Sequence, residues 1–248
     1  MNENYKNLVQ DLVDDLKAVF THAGLGGEAG EYKLLTQSFL YKFLNDKFLY
    51  EAKAVDTKNI YEELVKMSLD DYRWLLEDIG TATAQLKPEQ FIETLHRKQN
   101  EDNFYEIFET TLNQIAIDNN DIFSVHTDGD TAIRLFDERL ITDNISDSSK
   151  RNQVARAIIN LLARVKFDEA IFSQGFDFFS TLFEYMIKDY NKDGGGKYAE
   201  YYTPHSVAKI IADILVGNDQ PSNVRIYDPS AGSGTLLMNL ASRIGADK

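Results

Sequence analysis

The chain has 248 residues, 43% hydrophobic and 12% aromatic, which argues against global disorder and leaves room for about one or two domains. Forty acidic residues face 26 basic ones, for a net charge of −14. No Lys/Arg run exceeds two, so the chain by itself is poorly suited to gripping nucleic-acid phosphates. No stretch approaches the ~20 apolar residues of a membrane span, and Met1–Lys6 lacks a basic start and an apolar signal run. A cytoplasmic protein is expected. The lack of cysteine excludes disulfides and thiolate metal sites.

From Met1 to about Tyr190 the periodicity is helical almost throughout. Leu8, Leu12, Val13, Leu16 and Val19 form one apolar stripe; Leu34, Leu35, Phe39, Leu40, Phe43 and Leu44 form a second. Between them Gly24-Leu25-Gly26-Gly27-Glu28-Ala29-Gly30 follows a helix and contains no basic residue, so a helix–helix turn is favoured over a phosphate loop. Ser68 before Leu69-Asp70-Asp71 reads as an N-cap with acids in the first turn. Pro88-Glu89 reads as the opening of a helix carrying Phe91, Ile92 and Leu95. A polar segment, Asp118 to Thr131, interrupts the pattern. Helices resume with Val154, Ile158, Leu161, Leu162 and Val165, then from Phe176 to Ile187. The helical spacing of the aromatic residues marks them as core rather than a stacking platform.

Asn191 to Lys197 is glycine-rich and polar, the clearest linker. The pattern Asp189-x-Asn191-x-Asp193-Gly194-x5-Glu200 fits a calcium loop. Its context argues against calcium: Gly196 stands where a branched apolar residue is usual, and Pro204 belongs in a helix's first turn, not after one has begun. The four histidines, His22, His96, His126 and His205, are too far apart in sequence to suggest a metal site. After the linker, Thr203-Pro204 reads as an N-cap and first-turn pair, with Gly217 closing the helix. Val207, Ile210, Ile211, Ile214 and Leu215 would form its one buried face.

Val224 to Tyr227 then reads as a short strand, Asp228-Pro229-Ser230-Ala231-Gly232-Ser233-Gly234 as a tight turn, and Thr235 onward as a helix with Leu236, Leu237, Leu240 and Ile244. Glycines let backbone approach a ligand, and the helix-start N–H groups face an anion. An acid at the strand tip accepts from a cation. One ligand with adjacent carboxylate and ammonium is the methionine end of S-adenosylmethionine. No lysine precedes Thr235, and Leu237 occupies the third glycine position of a dinucleotide fingerprint, so those two nucleotide readings fail.

Tyr201-Tyr202-Thr203-Pro204 followed by Asp228-Pro229-x-x-Gly232-Ser233-Gly234 resembles the Gly-x-Tyr-Tyr-Thr-Pro and Asp-Pro-x-x-Gly-Ser-Gly pattern of the DNA-methyltransferase (modification) subunit of type I restriction-modification systems. The likeness is specific after Gly194. It is diffuse in the helical part, at Leu34–Phe48 and Asn119-Asn120-Asp121-Ile122-Phe123, and runs through Phe183 to Ile187. The resemblance implies a mostly α chain. An N-terminal helical domain, residues 1–166, would be followed by residues 167–248 carrying the first strand and helices of an incomplete Rossmann-like α/β methyltransferase domain. It also implies methyl transfer from S-adenosylmethionine to adenine N6.

By the same resemblance, Tyr201 to Pro204 would lie beside the methionine moiety, with the Tyr202 ring packed on the cofactor and Thr203 offering polar contacts. Asp228 would accept from the ammonium, and Gly232, Ser233, Gly234 and Thr235 would bring helix-start amides to the carboxylate. Glu200 and His205 flank this patch. The implied partners are a DNA-specificity subunit and a restriction (nuclease) subunit, with double-stranded DNA bound only in the assembled complex and no membrane. The chain departs from the family: its four prolines, Pro88, Pro204, Pro221 and Pro229, are never adjacent, so the Asn/Asp-Pro-Pro-aromatic motif that holds a flipped adenine is absent, as are the acid expected to hold the ribose after a second strand and the coiled-coil tail expected to meet a specificity subunit. A fragment inactive by itself is therefore expected. A non-catalytic helical assembly module is the alternative.

Overall fold

In a computed structural model, residues 3–27, 29–55, 60–80, 83–123, 134–172, 203–218, 223–231 and 234–245 are described. Residues 11–169 make one compact unit, and residues 1–10 with 170–248 make another. The expected helix Phe176–Ile187, the linker 191–197, the calcium-like loop to Glu200 and His126 lie outside the described residues.

Helix α1 (Glu3–Ala23) buries Val9, Leu12, Val13, Leu16 and Phe20. The expected stripe is right at its centre and off by one residue at each end, where Leu8 and Val19 are only half-buried. Backbone bonds from Gly24 N to Thr21 O and from Leu25 N to Phe20 O close the helix, and α2 (Ala29–Val55) follows. The glycine segment is the helix–helix turn expected. At Gly30 a Cβ would stand 2.8 Å from Asn144 Oδ1, so any larger residue there would make the Asn144 side chain of α8 (Leu140–Asn144) shift.

Helix α2 is the centre of the unit and packs on α3 (Ile60–Lys66), α4 (Leu69–Ile79), α8 and α9 (Ser148–Arg164). Neighbours on several sides explain why it has no single apolar stripe. Leu34, Leu35, Phe39, Tyr41, Leu44 and Phe48 are buried, but so are Lys42, Asn45 and Asp46. Those polar groups close on one another. Lys42 Nζ lies 2.8 Å from Asp46 Oδ2, and Asn45 Nδ2 donates to Asp46 Oδ1 at 2.7 Å. Backbone amides complete the set: Ile92 N donates to Asn45 Oδ1 at 2.9 Å and Phe167 N to Asp46 Oδ2 at 2.8 Å. Burial pushes the Lys42 ammonium's pKa down, and the adjoining Asp46 carboxylate opposes that.

Ser68 caps α4 as expected, its Oγ accepting from Asp71 N. Pro88 opens a 3-10 turn, Pro88–Gln90, instead of the helix itself; Phe91 is the N-cap of α5 (Ile92–Lys98). Proline's fixed φ suits either start, so sequence alone does not choose between them. Helix α6 (Phe104–Asp118) receives its cap from another helix, since Asn152 Oδ1 accepts from Tyr105 N. At its other end the buried Asn119 amide bonds Gln85 N, Gln85 O and Ile115 O. A short α7 (Asn120–Phe123) follows. Helix α9 lays Val154, Ala155, Ile158, Ile159 and Leu162 onto α5 and α6; the expected Leu161 and Val165 are only half-buried. A four-residue helix, α10 (Glu169–Phe172), ends the continuous run.

The second unit contains α11 (His205–Val216) and α12 (Thr235–Ile244), packed together. Two expectations are corrected there. The apolar face of α11 is outside: Ile210, Ile214 and Leu215 are 59%, 74% and 67% exposed, and Ile211 is half-buried. The inward face is Ala208, Ala212 and Val216, a row four residues apart whose small side chains admit a close helix. Val224 to Tyr227, expected as a strand, joins no β-ladder among the described residues. Backbone in a strand needs a neighbour to pair with, and none of the described segments supplies one. The described residues are thus mostly helical, without a sheet.

Candidate cofactor site

Glu200, Tyr201, Tyr202, Gly232 and Ser233 lie outside the described residues; Thr203, Pro204, His205, Asp228, Gly234 and Thr235 are within them. Thr203 is not the N-cap of α11. Pro204 takes that position with φ −55° and ψ 134°, and its carbonyl accepts from Val207 N and Ala208 N at 3.0 and 3.1 Å. Proline has no N–H to lose there, and a helix can start one residue to either side of a Thr-Pro pair at little cost. Gly217 closes α11 as expected, its N–H donating to Asp213 O. Arg243 of α12 reaches across to Asp213 Oδ1 at 2.8 Å and to Gly217 O at 2.7 Å.

Asp228 follows Val224–Tyr227, and its two carboxylate oxygens differ. Oδ1 accepts from Ser230 N at 2.9 Å, the side-chain-to-backbone bond that makes a tight Asp-Pro-Ser turn. Oδ2 is shielded from solvent and meets no hydrogen-bond partner among the described residues. A shielded carboxylate oxygen with no donor costs free energy, so its setting favours an added N–H donor.

Gly234 sits at the N-cap of α12 in the left-handed region, φ 77°, which any side chain would strain. Its N–H donates to Ala231 O at 2.7 Å, and a Cβ placed on it would meet nothing within 4 Å. The turn therefore presents open space at a helix start, where N–H groups and the helix dipole favour an anion. A carboxylate at one end and a helix start at the other suit a zwitterion.

One residue absent from the sequence-based site stands between these segments. Asn239 is 7% exposed, and its Nδ2 contacts both Thr235 O at 2.8 Å and His205 Nδ1 at 3.2 Å. The signal for it was slight: an amide among Leu236, Leu237, Leu240 and Ile244 of an apolar helix. The other described histidines are local, His22 donating to Ala18 O and His96 contacting Asn160 Oδ1. Among the described residues, no three of Asp, Glu and His gather as a metal site, and no helix is long and apolar enough to cross a membrane.

Residues 174–248 match the family described as N-6 DNA Methylase. Over 219 residues, 84% of its length, it is 23% identical to the type I restriction enzyme MpnII methylase subunit of Mycoplasma pneumoniae. Its fold resembles the crystal structure of the type I restriction-modification system methyltransferase subunit from Streptococcus thermophilus, with TM-score 0.63 and 21% identity over 96% of the chain. The chain spans 39% of the first relative and 49% of the second. The resemblance read from the Tyr-Tyr-Thr-Pro and Asp-Pro-x-x-Gly-x-Gly motifs is therefore upheld by family, relative and fold alike.

Proposed function

We propose that this chain is part of the modification subunit of a type I restriction-modification complex. In this reading, residues 167–248 begin a Rossmann-like domain that binds S-adenosylmethionine and serves adenine-N6 methylation of DNA, and residues 1–166 are the helical domain before it. The observation that carries the reading lies within the matched segment: the shielded Asp228 carboxylate oxygen lacking a donor and, a few residues on, the left-handed Gly234 that opens a helix. The exposed aliphatic row of α11 supports an α/β domain, because a sheet laid on Ile210, Ile214 and Leu215 would bury it.

In this site the cofactor supplies the methyl group. Asp228 Oδ2 accepts from the ammonium, the start of α12 receives the carboxylate, and Glu200, Tyr201, Tyr202, Thr203, Pro204 and His205 flank the methionine chain, with Tyr202 packed on it. Gly232, Ser233 and Gly234 keep side-chain bulk away from the approach. Recognition of the DNA site falls to a separate specificity subunit, with a nuclease subunit as the other partner, in the cytoplasm. The acidic balance of the chain, −14, agrees with DNA being gripped by the assembly and not by these residues alone.

Asp228→Ala in the full-length subunit tests the site. One charge-assisted hydrogen bond is worth about 1.5–3 kcal/mol, so calorimetric titration should show about ten- to a hundredfold weaker cofactor binding with the fold intact. Equal affinities would make Asp228 a turn residue only. The 248-residue chain should transfer no radiolabelled methyl to adenine, because it contains no Asn/Asp-Pro-Pro-aromatic motif.

A further inference from the structure

The amide of Asn239 has its orientation set by chemistry. A backbone carbonyl only accepts, so the atom 2.8 Å from Thr235 O is the NH2 group. The same nitrogen lies 3.2 Å from His205 Nδ1 and can only donate there. His205 Nδ1 is thus an acceptor, and the neutral ring carries its proton on Nε2.

The positions of the two partners give this bond its meaning. His205 is the first residue of α11, directly after Thr203-Pro204; Thr235 is the first residue of α12, directly after Gly234. One amide therefore ties the first turns of two helices whose preceding segments are separate in sequence. Asn239 is buried at 7% exposure on a largely apolar helix, so a leucine would serve burial at least as well as an asparagine. What an amide adds is a fixed distance and a fixed tautomer.

We infer that Asn239 is a positioning residue: it holds the Thr203-Pro204 end of α11 against the Gly234 turn and selects the Nε2–H form of His205, which flanks the methionine moiety. This deepens the cofactor reading given above and rests on it. The bland competitor is a polar contact that only glues two helices.

Nitrogen-15 NMR of the histidine rings in the 248-residue chain separates the two. In its neutral ring His205 should show a single Nε2–H tautomer. Asn239→Asp should draw the proton to Nδ1. In the full-length subunit, Asn239→Leu should raise KM for S-adenosylmethionine about three- to tenfold with kcat little changed, the fold-change expected for one neutral hydrogen bond. Mixed tautomers in the wild type, or an Nε2–H form that persists in Asn239→Asp, would overturn the clasp. A changed tautomer with an unchanged KM would overturn the positioning role. If Asn239→Leu loses the wild-type circular dichroism, Asn239→Asp carries both readouts. The NMR signature is read without cofactor, so its failure is distinct from a failure of Asp228→Ala to weaken binding.

Discussion

In the helical unit, residues 11–169, the large apolar side chains are inside, and many of the polar groups among them are closed into networks such as Lys42–Asn45–Asp46. In the α11–α12 pair the arrangement is reversed. Small and polar residues, Ala208, Ala212, Thr235 and Asn239, make the contact, while Ile210, Ile214 and Leu215 stand in solvent. Apolar area removed from water contributes about 25 cal/mol per Å2, so the first region gains most of that term and the second forgoes much of it. The comparison separates a region that supplies its own core from one whose aliphatic face is suited to being covered.

Breaking the buried network should have the largest effect. Asp46→Ala leaves the Lys42 ammonium without its carboxylate in a site that is 3% exposed, and takes an acceptor from Phe167 N. A loss of about 3–5 kcal/mol is expected in denaturant unfolding. A loss under about 1 kcal/mol would mean the network is incidental to the unit's stability.

A matched pair of truncations sharpens the contrast. Leu162→Ala, fully buried on α9, should cost about 2–5 kcal/mol by opening a cavity. Ile214→Ser on α11 should stay within about 0.5 kcal/mol in this chain, because the side chain is 74% exposed. Comparable losses would show that α11 buries its aliphatic face after all. Ser68→Ala, removing the α4 cap, should cost about 1 kcal/mol, read as a lower unfolding midpoint.

The pH dependence is the finest probe. At Asp118 burial raises the carboxyl's pKa, but hydrogen bonds from Lys87, Gln114 and Gln90 outweigh it and hold it below its ordinary value. The Ser149 hydroxyl and N–H do the same for Asp147 at the start of α9. A carboxyl lowered on folding contributes stability above its unfolded pKa, about 3.9 for Asp, and loses it as pH falls through the folded value. The helical unit should thus weaken in acid below about pH 4, and Asp118→Asn with Asp147→Asn should flatten that limb. An unaltered acid limb would show that neither carboxylate is linked to folding.

Local chemistry was legible in the chain by itself. Ser68 and Gly217 act as read, because a cap needs only its own residue and the next few amides. The centres of the α1 and α9 stripes were right for the same reason, since 3.6-residue periodicity is a local property. The motifs near Pro204 and Asp228 carried the resemblance because they are short and contiguous, and they lie within the matched segment. Tertiary structure decided the rest. Periodicity says that a face is apolar but not what lies opposite, so α2 turned out buried on several sides and the aliphatic row of α11 exposed. A strand is defined by its partner, so Val224–Tyr227 has strand-like residues and no ladder among the described residues. Asn239 and His205 are 34 positions apart, and only the packing of α11 on α12 brings that amide to that ring.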